Sequence, residues 1–178
     1  MLRIDHRESY DVDIFIPDAQ LLPFFDPEKR DFEFDIRPDD WGGDGARFIK
    51  LAFQRIGQID FIVAGALTSS PSTETNVDGE IIQLETIHEI ITKKIRFRAA
   101  SLQPRDIFDI AAAAEQHTDA LIKSLKMYPE DVAQALAALS KMSPEFINLA
   151  IEHLTVRDPY RAMTKSAFER SKEILGAV

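Results

Sequence analysis

The hydrophobic period of the chain changes at Thr86, and that change limits the fold more than any other feature. Before it, polar and apolar residues alternate in short runs; after it, apolar residues recur at helical spacing. Residues 11–16 (DVDIFI) alternate strictly, as a strand with one buried face does, and 32–36 alternate again. Pro17, Pro23 and Pro27 break the intervening stretch around AQLLPFF, which reads as a helical turn or two. Pro38 with WGGDG supplies turn residues before a mixed basic and apolar run at 47–53. Residues 57–66 (GQIDFIVAGA) read as the most buried strand, 68–78 as a Ser/Thr/Pro/Gly-rich loop, and 81–84 as a short last strand. Thr86 followed by Glu89 fits a capping box at the start of a helix. Beyond Ser101 the chain is Ala-rich, and Pro104, Pro129, Pro144 and Pro159 each fit the first turn of a short helix, four or five in all. The expected fold class is α+β: an α+β domain over 1–103 and a helical domain over 104–178.

The 178 residues, 45% hydrophobic, suffice for one sizeable core or one core with a helical appendage. Without cysteine there are no disulfides or thiolate metal sites, which fits a cytoplasmic location. The start MLRIDHRESYDVD lacks the apolar segment of a signal peptide, and the longest apolar run, 61–67, is too short to span a bilayer, so no membrane partner is expected. A net charge of -9 argues against a broad DNA-binding surface. The exception is Lys93, Lys94, Arg96, Arg98 and Arg105, a locally cationic segment with no acid among them.

The chemistry-bearing residues are few. Asp11 and Asp13, two apart on a strand, share a face and repel unless a cation or a proton intervenes. Such hard oxygen ligands suit Mg²⁺, which keeps several waters and binds a few carboxylates together with phosphates. Asp60 interrupts an apolar strand; it is either a third metal carboxylate or an acid on an edge strand in water. In the helix after Thr86, Ile87, Ile90, Ile91 and Ile95 form a stripe. Lys94 and Arg98 fall inside that stripe, whereas Lys93 and Arg96 fall outside and face solvent. The inward cations need an anion: the phosphates of an NTP, or Asp106 and Asp109, which share a helical face and can pair with them structurally.

The ordered pieces RESYDVDIF, QIDFIVAG, EIITKKIRFR and PRDIFDIA resemble the AbiEii/AbiGii group of nucleotidyltransferases, toxins of bacterial toxin-antitoxin and abortive-infection systems. The resemblance covers about the first two thirds of the chain and falls on Arg7, Ser9, Asp11 and Asp13, then Asp60, then Glu89 and Lys94, then Arg105, Asp106 and Asp109. It implies a nucleotidyltransferase-like mixed sheet with flanking helices and Mg²⁺- or Mn²⁺-dependent transfer of a nucleotide from an NTP to an RNA or protein acceptor. An antitoxin is the implied protein partner. In that scheme Asp11, Asp13 and Asp60 bind metal, and Asp60 and Lys94 are catalytic. Ser9, Lys94, Arg98 and Arg105 hold phosphate, and Asp106 and Asp109 support them. The family's glycine motif upstream of the paired aspartates has no counterpart in the ten residues before Asp11. That leaves two expectations, a start earlier than Met1 or a reduced nucleotide pocket, the second being that of a nucleotidyltransferase-like binding protein without turnover.

Overall fold

The computed structural model describes residues 3–178, which form two compact units. One is the contiguous stretch 9–65; the other combines residues up to Glu8 with Ala66–Val178. The division therefore falls elsewhere than the 103/104 boundary read from the sequence. That boundary followed a change in composition, whereas the units follow packing, and the helix after Thr86 packs with the helices beyond it.

The 9–65 unit is a four-stranded mixed sheet of order β1-β4-β3-β2. Strand β1 (Asp11–Ile16) lies parallel to β4 (Gly57–Val63), β4 antiparallel to β3 (Phe48–Phe53), and β3 antiparallel to β2 (Asp40–Gly43). Period-two alternation gives the sheet one apolar face, on which Ile16, Ile49 and Leu51 are buried with Leu22 from a 3₁₀-helix (Ala19–Phe24). Trp41, Phe53, Ile59, Phe61 and Val63 extend this cluster, and Phe25 stacks on Phe61 with centroids 4.3 Å apart. Gly57 has φ +144°, and a Cβ there would collide with the Tyr10 carbonyl, so only glycine fits where β4 begins. Two expectations are corrected. Residues 32–36 form no strand, because their alternation found no partner ladder, and part of the WGGDG turn is strand β2.

In the other unit, β5 (Ser72–Val77) and β6 (Glu80–Glu85) make a hairpin, so most of the stretch read as a loop is a polar strand. Asp78 and Gly79, both at positive φ, form its turn, as the Asp-Gly pair favours. Helix α1 (Ile87–Arg98) starts at Thr86, whose side chain accepts from the Glu89 N–H. The capping box is only half made, because the Glu89 carboxylate is spent on Leu67 and Thr68 instead. Helices α2 (Pro104–Leu125), α3 (Pro129–Leu139) and α4 (Pro144–Glu152) and a 3₁₀-helix (Asp158–Lys165) all carry proline in the first turn, as expected. Helix α2 is longer than a short-helix reading allows and is interrupted by a non-helical His117; α5 (Ala167–Gly176) closes the unit. The buried core joins Ile91 and Ile95 to Ile107, Phe108, Leu121, Leu139, Ile151 and Phe168. Ala111–Ala114, all buried, bring α2 close to its neighbours.

Both crossings between the units are fastened on the helical side. Arg7 chelates Asp109, Glu8 N–H donates to the Thr155 carbonyl, and Arg7 bridges Val156. At the return, Leu67 and Thr68 donate their N–H groups to the buried Glu89, and the Tyr128 hydroxyl donates to the Leu67 carbonyl. Among the described residues no helix is long and apolar enough to cross a membrane.

Candidate active site

The polar face of the four-stranded sheet carries the predicted acids in register. Asp13 on β1 is the direct partner of Asp60 on β4, and Asp60 is the partner of Lys50 on β3. One step along, Asp11 faces Gln58, and Gln58 faces Ala52. Adjacent strands lie about 4.8 Å apart, and register partners project to the same side. Asp11, Asp13 and Asp60 therefore stand on one face, with a cation beside them that sequence reading did not single out. Lys50 was detectable only through the alternation Phe48, Lys50, Ala52, which puts it on the face opposite Ile49 and Leu51; its pairing with Asp60 needs the register.

Asp60 is half-buried and incompletely satisfied. Its Oδ2 accepts from Gln58 Nε2 at 2.8 Å, while its Oδ1 is buried without a hydrogen-bond partner. A buried carboxylate oxygen lacking a donor is costly. Asp11 and Asp13 are exposed at the end of the row. Carboxylate oxygens such as these are the ligand type that a hard divalent ion of the Mg²⁺ or Mn²⁺ kind takes. Among the described residues, however, no group of three or more His, Cys, Asp or Glu side chains is gathered closely enough to hold a metal ion.

The cations expected on phosphate have partners within the helical unit. Lys94 Nζ lies 2.6 Å from Asp106 Oδ1 and 3.1 Å from Asp109 Oδ2, and Arg98 Nη1 lies 3.4 Å from Asp106. The structural pairing weighed against phosphate binding is thus present. Asp109 is fully buried: His6 Nε2 lies 2.7 Å from Oδ1, and Arg7 reaches both oxygens at 2.7 and 2.9 Å. Burial works to raise its pKa, but hydrogen bonds from His6 and Arg7 and the charges of Lys94 and Arg7 outweigh it and hold the carboxyl well below the ordinary range. His6 Nδ1 is buried without a partner, which favours the tautomer with its proton on Nε2, donating to Asp109. His6, which no spacing in the sequence singles out, belongs to this cluster. Its only sequence signal was adjacency to Arg7.

Lys93 corrects a second expectation. It is 5% exposed rather than solvent-facing, 2.5 Å from Glu85 and 3.7 Å from Glu89. A single-stripe reading fails on α1 because the helix is buried on more than one side; Ile91, Thr92 and Lys93 are consecutive and all buried. Arg96 behaves as expected, half-exposed and paired with Asp131. Ser9 and Arg105 are exposed, the latter in the first turn of α2.

No family model matches the chain, and no curated protein or solved structure matches it.

Proposed function

We propose that the polar face of the sheet is the working centre of a nucleotidyltransferase-type enzyme acting on an NTP, with Asp11 and Asp13 as metal carboxylates and Asp60 as the general base. The observation that carries this reading is the in-register Asp13–Asp60 pair with an unsatisfied Asp60 oxygen beside Lys50. A divalent ion bound there with the triphosphate would supply charge neutralisation on the transferring phosphoryl group. Asp60 accepts the proton of an acceptor hydroxyl on RNA or protein. The hydroxyl oxygen bonds to the α-phosphorus, the bond from that phosphorus to the α–β bridging oxygen breaks, and pyrophosphate leaves. Lys50 sits one strand from Asp60, placed to neutralise phosphate charge. The resemblance to AbiEii/AbiGii toxins gives this chemistry a setting in a toxin-antitoxin or abortive-infection system, with an antitoxin as protein partner.

The test is thermal stabilisation of the chain by an NTP with Mg²⁺, followed by transfer of an α-labelled NTP to cellular RNA or protein. Asp13→Ala abolishes both; an NTP that never shifts the melting temperature at saturating metal ends the proposal.

A second reading is a nucleotide-binding relative without turnover. It is favoured by the commitment of Lys94 to Asp106 and Asp109, which leaves its charge already matched by carboxylates. Binding that depends on Asp13, with no labelled product from any acceptor, selects it.

A further inference from the structure

Beside the acid row lies a cleft of about 300 Å³, lined by Asp40, Gly42, Asp44, Phe48, Lys50 and Ala52. It belongs to the same face of the same sheet. Gly42 is the partner of Lys50, and Ala52 that of both Asp40 and Gln58, so the cleft continues the Asp13–Asp60–Lys50 row by one strand. Its floor is low because the two central positions are glycine and alanine; a Cβ added at Gly42 would meet no atom within 4 Å. One wall is Phe48, 39% exposed although aromatic, on β3 two residues from Lys50. The turn at its end is rigid. Asp44 Oδ1 accepts from the N–H groups of Ala46, Arg47 and Phe48, and Oδ2 accepts from the Arg47 guanidinium. Asp44 is thereby consumed by the turn, and Asp40 is the acid left at the opposite rim.

We propose that this cleft is the nucleoside subsite of the same centre: the base stacks on Phe48 above Gly42, Asp40 accepts from a sugar hydroxyl or base amino group, and Lys50 meets the phosphates. The inference rests on the function proposed above and adds to it the part of the NTP that the acids do not recognise. The spacing suits it. Two residues along a strand cover about 6.8 Å and one strand step about 4.8 Å, which matches the reach from phosphate to base in a nucleotide. An aromatic wall with a small-residue floor accepts any planar base and discriminates weakly among them, because stacking uses the π-face that all bases share. A volume at the lower end of ligand pockets holds a nucleoside with its phosphates outside, toward the acids.

The experiment compares ATP and UTP with inorganic tripolyphosphate, which keeps the phosphates and lacks the nucleoside, binding to the full chain in saturating Mg²⁺. Phe48→Ala and Gly42→Val, the latter filling the cleft from its open floor, each weaken NTP binding about tenfold and leave tripolyphosphate unchanged. Phe48→Tyr, which keeps a ring, restores binding. Asp13→Ala weakens both probes. NTP binding that needs Asp13 but is indifferent to Phe48→Ala and Gly42→Val overturns the subsite and leaves the proposed function standing. Equal losses of NTP and tripolyphosphate also overturn it, since a cleft variant would then be disturbing the acids. Wild-type protein that binds no NTP sinks both.

Discussion

Asp109 in the helical unit and Asp60 in the sheet unit both interrupt runs of apolar residues on regular elements, yet their surroundings are opposite. Asp109 is fully buried with both oxygens engaged, by a histidine, a bidentate arginine and a lysine. Asp60 is half-buried, has one amide donor on one oxygen and nothing on the other, and faces Asp13 across the ladder. A carboxylate with both oxygens matched by hydrogen-bond donors is part of the framework. One left short of donors beside a like charge is not fixed in that way, and it is the acid to which a working role is proposed above. The sequence spacing of the two acids gives no hint of this difference.

The contrast predicts a graded set of outcomes. The largest is for Asp109→Ala, which leaves the buried His6 and the part-buried Arg7 and Lys94 without their shared acceptor. Urea unfolding should show a loss of about 3–5 kcal/mol, and a loss under about 1 kcal/mol would mean that Asp109 is no more structural than Asp60. Glu89→Ala removes the acceptor of the Leu67 and Thr68 N–H groups and the farther of the two carboxylates beside Lys93. It should cost about 3 kcal/mol, read from the same denaturant midpoint. A pH series separates charge from packing. Because the folded pKa of Asp109 is depressed, its contribution is present above the ordinary value of 3.8 and is lost as pH falls below that toward the folded value. Wild-type stability should therefore drop more steeply than that of Asp109→Asn between pH 5 and pH 2.5, as measured by urea unfolding at each pH, and parallel curves would contradict the assignment. Thr86→Ala loses a long N-cap bond and should cost about 0.5–1 kcal/mol in the same assay. Smallest is Asp60→Asn, which relieves repulsion with Asp13 and keeps an amide-compatible neighbour in Gln58. Its unfolding free energy should change by less than about 1 kcal/mol while transfer from an α-labelled NTP disappears.

Much of the acid row was legible in the sequence, since period-two spacing puts Asp11 and Asp13 on one side of a strand wherever that strand sits. What it could not supply was register: that Asp13 meets Asp60 depends on a parallel pairing between strands more than forty residues apart, and that Asp60 meets Lys50 depends on the register of the antiparallel pair β3–β4. The prolines opening α2, α3 and α4 were equally readable, because each acts through its own ring and missing N–H. The failures share a cause. Lys93, strand β5 and the 32–36 run were judged by local pattern, and each was decided by what packs against it or fails to. The unit boundary was hidden for the same reason, as two sequence-distant pieces make one core while the piece between them makes another.

The fastening of the first crossing bears on the order of events during synthesis. Arg7 and His6 find Asp109 only after more than a hundred further residues have been added, and Glu8 waits longer for Thr155. At about 5–20 residues per second, the leading segment trails for roughly five to twenty seconds with its basic side chains unmatched. Over that interval the 9–65 sheet has all of its strands and can close. Residues 6–8, made before the sheet, are then among the last to be seated, and the helical unit reaches its final state only when they meet Asp109 and Thr155.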